Sequence, residues 1–418
     1  MTKYKLSAIT LALMTSFPAL AASQAESNGF VEDSSLDLFL RNAYMNRDYR
    51  NGDQDKAEWG QGAILTFKSG FTKGTVGFGV DAFGQYAVRL DSSNDRAGAP
   101  GIDFFMVDNN GDVEKDVGYA GAAVKARFSK TVVTYGDQQP SLPVLSYDNS
   151  RLLSEAYTGT MITSNEIDGL TVHAGRFHSQ LRKSDEGRDS GELNSIEVLG
   201  GSYQFNDNIR AALYASDVED VLKRQYVNLN YIRPLNGDTL TLDFSGYRTK
   251  QDKKWDGEGA RNNLWSLSAN YATGPHDFTL AYQRSSGDTG YNYGYYQSEA
   301  GGVGDGGTTI WVANSFWSDF NGEDERSWQL SYGLDFTDYG IPGLNYKVAY
   351  IRGTDINVGA GDSASEREIF NQVSYTVQSG AAKDLSVRLR SSILRASNSY
   401  VQDGNEVRIF VDFPMNIF

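Results

Sequence analysis

The residues best suited to chemistry in this 418-residue chain are cations repeating at two-residue spacing. Arg388 and Arg390 flank Leu389, Lys125 and Arg127 flank Ala126, and Arg41 and Arg47 share the parity of one run. Arg89 and Arg408 each sit between two apolar neighbours. In an extended chain, residues two apart point to the same face. Each set therefore presents its charges opposite its apolar neighbours. Guanidinium forks suit carboxylates, which they bind bidentately. The plainer role for any of these cations is a salt bridge to a nearby acid. A second candidate is Tyr135–Thr160, where Pro140 and Pro143 stiffen the chain and Val144, Leu145, Leu152 and Leu153 need somewhere to pack. Tyr147, Asp148 and Arg151 give that stretch polar chemistry. A connection this long without regular structure is usually functional or disordered, and its apolar content argues against disorder.

The elements that must position these groups are strands. Thr75–Leu90 places Val76, Phe78, Val80, Ala82, Tyr86, Val88 and Leu90 on one parity and Asp81, Gln85 and Arg89 on the other. Such alternation marks a strand with one apolar face, and at ~3.3 Å per residue this one would exceed ~50 Å, long for a soluble sheet. Comparable alternation recurs in seventeen further segments between Ser35 and Phe413, eighteen in all, least regularly in Met161–Glu166 and Leu170–Leu181, and no segment has a helical period. Short turns alternate with nine longer polar connections: 48–57, 91–117, 138–160, 182–194, 217–223, 249–263, 285–326, 353–368 and 397–404. An even strand number with both termini on the short-turn side predicts an all-β, 18-stranded antiparallel transmembrane barrel, with short periplasmic turns and long extracellular loops. Lipid offers no partners to backbone N–H and C=O groups, so a spanning sheet must close on itself. Tyr44, Tyr86, Tyr271, Tyr332 and Tyr350, near strand ends, fit interfacial girdles. The chain ends in the aromatic Phe418, one residue out of step with Ile409, Val411, Phe413, Met415 and Ile417.

Totals agree with an exported membrane protein. Lys3 and Lys5 precede an apolar run, Leu6 to Leu20, closed by Ala19-Leu20-Ala21. This is a signal peptide, residues 1–21, with cleavage predicted after Ala21; residues 22–418 form the single barrel domain. Without Lys3 and Lys5 the chain carries 36 basic and 53 acidic residues, a formal charge of −17 that counts against nucleic acid as a partner. There is no cysteine, hence no disulfide or thiol chemistry. The 44 Gly, 25 Tyr and 21 Phe with few Pro suit strands with one greasy and one polar face. Gly302–Gly307 matches GxGxxG without a βαβ context, and the acidic run Asp108–Asp116 lacks EF-hand spacing. His173, His178 and His276 show neither metal nor triad spacing. No catalytic residue, cofactor or metal ligand is predicted.

If the apolar parity faces lipid, the other parity lines a pore. The first and last strands must be neighbours in a closed barrel, which would gather Arg388, Arg390, Arg408, Arg41 and Arg47 on one wall. A positive track in an acidic protein would lower the barrier for anions, and several weak sites would let them step along it.

The chain resembles the substrate-specific outer-membrane porins of the OprD type, the Occ channels. The resemblance runs over essentially all of the mature sequence and rests on GFVEDSSLDLFLRNAYMNRD (29–48), GTVGFGVDAFG (74–84), YGDQQPSLPV (135–144), DNSRLLSEAYTGTMITS (148–164), ANSFWSDFNGEDERSWQL (313–330), YGIPGL (339–344), VQSGAAKDLSVRLRSS (377–392) and NEVRIFVDFP (405–414). It implies that the third and seventh loops fold into the lumen as a constriction and that a basic ladder guides carboxylate-bearing solutes. Arg41, Arg47, Arg388 and Arg390 match ladder positions, and Arg151 matches the basic residue of the third loop. ASDVEDVLKRQYVN, TKQDKKW, VGDGGTTIWVANSFWSDFNGEDERSW and EREIFNQVSYTVQSG look closest to the OccK branch, associated with aromatic acids such as benzoate and vanillate. The OccD branch is associated with basic amino acids. The expectation is a passive channel for small carboxylates, with Tyr147, Asp148, Ser315, Trp317 and Asp319 as a sorting surface; loop packing is the alternative role for these five. Expected partners are the solutes and outer-membrane lipid, with a monomer or homotrimer as assembly. A barrel hydrolase and an occluded structural barrel are the rival classes.

Overall fold

The structure, a computed structural model, describes residues 23–418 except 51, 53, 92–95, 97–101, 108, 109, 111, 191, 192, 295–309, 360, 398 and 399. The predicted signal peptide and Gly302–Gly307 lie outside the described residues, as does part of the Asp108–Asp116 run.

Eighteen strands form one antiparallel sheet. In chain order they begin β1 (Ser35–Tyr49), β2 (Lys56–Lys68), β3 (Val76–Arg89), β4 (Asp116–Phe128) and β5 (Thr131–Gln138). A two-stranded hairpin, β6 (Ser141–Leu142) and β7 (Leu145–Ser146), stands apart from the sheet. The sheet resumes with β8 (Ala156–Ser164), β9 (Leu170–Leu181), β10 (Ile196–Asn206), β11 (Ile209–Val218), β12 (Leu222–Leu235) and β13 (Asp238–Gln251). It ends with β14 (Arg261–Thr273), β15 (His276–Gly287), β16 (Arg326–Asp335), β17 (Leu344–Asn357), β18 (Ser363–Thr376), β19 (Ser386–Ala396) and β20 (Gly404–Asn416). Each strand pairs with its chain neighbour, and β20 returns to pair with β1, Arg41 opposite Asp412 and Arg47 opposite Glu406. The barrel is closed, so no edge is left unpaired.

Its burial is inside out. Leu213 and Leu199 are 66 % and 62 % exposed, while Gln283, Ser285 and Gln329 on the other parity are fully buried. Only lipid makes that distribution favourable, since contiguous exposed apolar surface on this scale is unstable in water. The buried apolar clusters lie inside the barrel, where long loops pack on the inner wall.

Strand positions match the alternation at most ends; β17 runs on to Asn357 and β18 starts at Ser363, so the connection read as 353–368 shortens to 358–362. β8 begins at Ala156, five residues before the segment read from alternation, so the third outer loop is 139–155. Ala156, Tyr157, Thr158 and Gly159 are all buried, which erases the apolar–polar signal. One single-turn helix, Lys253–Asp256, lies in the loop after β13, capped by the Asp252 side chain on the Lys254 amide.

Candidate functional site

The third loop crosses the lumen because its two halves are apolar towards different walls. Leu142, Val144 and Leu145, on the β6–β7 hairpin, pack with Tyr157, Phe177, Ile196, Tyr226, Tyr247 and Leu264 of β8 to β14. Leu152 and Leu153 pack with Ala43, Met45, Phe104, Phe105 and Phe410 on the opposite side. β2 makes room with glycine. A Cβ at Gly60 would lie 2.4 Å from Leu152 Cδ1, and one at Gly62 would lie 2.9 Å from the Leu152 carbonyl oxygen. The seventh outer loop also folds inward: Phe320 packs on Ala349, Ile351 and Phe370, and Phe316 meets Phe370 at 4.9 Å between rings. The two loops meet at Tyr247, whose hydroxyl donates to the Pro143 carbonyl and accepts from the Trp311 amide, both at 3.0 Å.

The five predicted wall arginines come together through the β19–β20–β1 register. From Arg41 to Arg47 the inward positions are Arg41, Ala43, Met45 and Arg47 on β1, facing Asp412, Phe410, Arg408 and Glu406 on β20. β19 adds Arg388 opposite Phe410 and Arg390 opposite Arg408. Five guanidiniums thus share the patch with two carboxylates. Arg41 is the most committed. It holds Asp412 through Nε at 2.7 Å and donates to the third-loop carbonyls of Asn149 and Arg151, both at 2.7 Å. Glu406 binds Arg47 at 2.6 Å and also pairs with Arg408. Arg388 approaches Asp412 only at 3.8 Å and keeps 36 % of its side chain exposed. Aromatic rings back the charges: Arg41 and Arg388 lie 5.2 and 4.9 Å from the Phe410 ring, Arg390 5.2 Å from Phe370, and Arg47 5.3 Å from Trp317.

The remaining cations are elsewhere. Arg89, at the outer end of β3, pairs with Asp91 at 2.6 Å. Lys125 pairs with Asp81 at 2.5 Å, and Arg127 donates to Gln24 at 3.0 Å while lying 4.2 Å from the Phe71 ring. These two fasten the N-terminal segment and first turn at the periplasmic end, so the structure does not bring Arg89, Lys125 and Arg127 to the wall. Arg151 donates to the Ile102 carbonyl and to Ser150 Oγ at 2.7 Å. Burial, with repulsion from Arg408, lowers its pKa from the usual guanidinium value.

Of the five predicted sorting residues, Trp317 lies against Arg47 and Tyr49. Tyr147 is half-buried and packs against the larger cluster. Asp148 serves a buried network. Lys183, which sequence reading missed because it sits in a polar connection, approaches Asp103, Asp148 and Glu155 at 3.5, 3.2 and 3.6 Å. Burial alone would raise the Asp148 pKa, but Lys183 and Arg151 hold it well below the usual carboxylate range. Asp319 accepts from Ser315 Oγ at 2.5 Å and from the Tyr293 hydroxyl, and burial pushes its pKa up. Glu368 and Glu366 on β18 were also missed. They accept from the Trp317 and Ser318 amides and from Ser318 Oγ, anchoring the seventh loop at 2.9–3.2 Å. The parity shared by Glu406, Arg408 and Asp412 in NEVRIFVDF could have revealed the two wall carboxylates.

Residues 28–417 match the family model described as outer membrane porin, OprD family. The chain belongs to the OprD family of outer-membrane porins. Porin D of Pseudomonas aeruginosa is 41 % identical, over 96 % of this chain and 94 % of that protein. The crystal structure of Acinetobacter baumannii OccAB1 superposes with a TM-score of 0.90 at 40 % identity, covering 94 % and 99 % of the two chains. That of P. aeruginosa OpdK with vanillate superposes with a TM-score of 0.83 at 31 % identity, covering 93 % and 100 %. Identity is therefore higher to Porin D and OccAB1 than to OpdK. As an OprD-family porin, this protein is a channel for substrate-specific diffusion across the outer membrane.

Proposed function

We propose that this porin passes small carboxylates, favouring monocyclic aromatic acids of the benzoate or vanillate kind, along the β19–β20–β1 wall. The observation carrying this reading is the excess of five guanidiniums over two carboxylates, interleaved with Phe410, Phe370 and Trp317. Arg388 and Arg390 offer donors to a carboxylate, which binds a charged donor more strongly than a neutral one. The aromatic faces beside them suit a planar ring. OpdK, a relative over the whole barrel, has been crystallised with vanillate. The third and seventh loops narrow the path, and the wall holds the anion weakly at several rungs, so release stays fast. No energy input is required, since the solute runs down its gradient.

A second reading is basic amino acids, the class associated with the OccD branch, since OccD1 (OprD) is 37 % identical to this chain against 31 % for OpdK. Uptake of benzoate, vanillate, arginine and a tricarboxylate into liposomes carrying the protein separates the two. Faster benzoate and vanillate entry is expected, and preferential arginine entry would overturn the aromatic-acid reading.

A further inference from the structure

The outward face of the barrel carries a basic patch that the channel does not use. Arg352 on β17 lies directly opposite Arg367 on β18, which lies directly opposite Arg395 on β19. All three share the lipid-facing parity with Tyr350, Ile369 and Ile393, whereas Ile351, Glu366, Glu368 and Leu394 face inward and are buried. Directly opposed residues stand ~5 Å apart at Cβ, and like charges so placed destabilise a sheet. Within the chain this repulsion is scarcely offset. Arg395 donates to the Gly404 carbonyl at 2.8 Å and to Asn405 at 3.0 Å, both neutral. Arg352 and Arg367 are exposed and bind no carboxylate among the described residues.

The patch also has a defined height. Trp328, directly opposite Arg352, packs at a tilt against Tyr350 at 5.3 Å between rings, and Trp265 and Tyr282 continue that girdle at 5.6 Å. Aromatic girdles mark the headgroup level, so the arginines stand at the outer interface, where a lipid-facing cation costs little. A second in-register pair, Arg284 and Arg326, lies beside them. The rim acids Asp324, Asp355 and Asp362 line a cleft with that pair, and Asp355 bridges Arg326 at 3.8 Å.

We propose that the Arg352–Arg367–Arg395 row binds the phosphate groups of anionic lipid in the outer leaflet, a bis-phosphorylated glycolipid above all. Three guanidiniums on directly opposed positions of adjacent strands suit a headgroup with more than one phosphate, and bound phosphates relieve the repulsion between them. The site is independent of the solute path.

The test reconstitutes the full mature protein in phosphatidylethanolamine vesicles containing either lipid A or phosphatidylcholine and measures lipid retained after detergent extraction by native mass spectrometry. Retention of lipid A over phosphatidylcholine is expected. The triple variant R352Q/R367Q/R395Q should lose about a hundredfold in lipid A affinity, from the contribution of each arginine near an anionic surface. R352K/R367K/R395K should keep most of it. Heat-modifiable gel mobility and unchanged single-channel conductance show that each variant folds. Equal lipid A retention by wild type and the glutamine variant would overturn the proposal. So would inorganic phosphate stabilising the wild type as strongly as lipid A, because the occupant would then be the free anion.

Discussion

Arg390 and Arg408 stand directly opposite each other on the inner wall, in register across β19 and β20. Arg408 is tied to Glu406, while Arg390 Nε is buried without a hydrogen-bond partner. The pair separates a cation tied to a carboxylate from one whose Nε is left without a partner, and the proposed function gives the second kind to the solute. Replacing Arg388 and Arg390 together by Ala should therefore reduce anion selectivity and benzoate uptake by roughly tenfold or more, the value of a charged hydrogen bond. Folding should persist. Bilayer reversal potentials and liposome uptake measure this, and unchanged selectivity would sink the basic-track reading.

Arg41 should behave differently. Arg41→Ala leaves Asp412 without its partner at 2.7 Å and frees the carbonyls of Asn149 and Arg151. Removing one member of a buried pair costs about 3–5 kcal/mol, so the barrel should unfold at lower temperature by heat-modifiable migration. Single-channel records should show a noisier open state as the third loop loosens. A variant as stable and quiet as wild type would show that the clamp is dispensable.

Tyr247→Phe removes one hydroxyl and two loop contacts. The Pro143 carbonyl and the Trp311 amide then lose a partner each, at about 1–3 kcal/mol per buried group. Loops three and seven should move independently, giving more frequent gating transitions in planar-bilayer records. Ion selectivity should stay unchanged, because Tyr247 lies on β13, away from the arginine wall.

Gly62→Ala tests the close approach of loop and wall. The added methyl would sit 2.9 Å from the Leu152 carbonyl oxygen, a backbone atom that cannot rotate away. The third loop must shift or the variant must lose stability, typically 1–3 kcal/mol for an overpacked contact. A crystal structure of the variant with Leu152 unmoved and an unaltered unfolding temperature would remove the glycine from this role.

Glu325 supplies a pH dependence. Burial pushes its carboxyl up to about 7, above the usual carboxylate range. A carboxyl with a raised folded pKa binds more protons folded than unfolded, so its stabilisation is full below pH ~4.5 and fades as pH rises through about 7. Glu325 accepts from the Gly322 amide at the base of the seventh loop. Loop fluctuations should therefore increase from pH 5 to 8 in single-channel records (roughly the span of that titration), and Glu325→Gln should flatten the dependence. An unchanged profile in the variant would assign the effect to another group.

Alternation by itself determined the architecture. A spanning strand needs one face for lipid and one for the lumen, so Thr75–Leu90 and its counterparts carried their own assignment, and barrel closure then forced Arg41 and Arg47 beside Arg388, Arg390 and Arg408. The apolar residues of Tyr135–Thr160 showed that this long connection needed a wall to pack on, and the family resemblance implied that it folds inward. What only tertiary structure decided was charge balance. Arg41 is consumed by Asp412 and two loop carbonyls, Arg89 by Asp91, and Asp148 by a lysine thirty-five positions away at Lys183. Alternation reports the face a side chain occupies; it is silent on register between distant strands and on where a long loop comes to rest. Guanidinium–carboxylate contacts depend on those two quantities within a few ångströms. For that reason one parity of arginines holds both tightly paired members such as Arg41 and loosely paired ones such as Arg388.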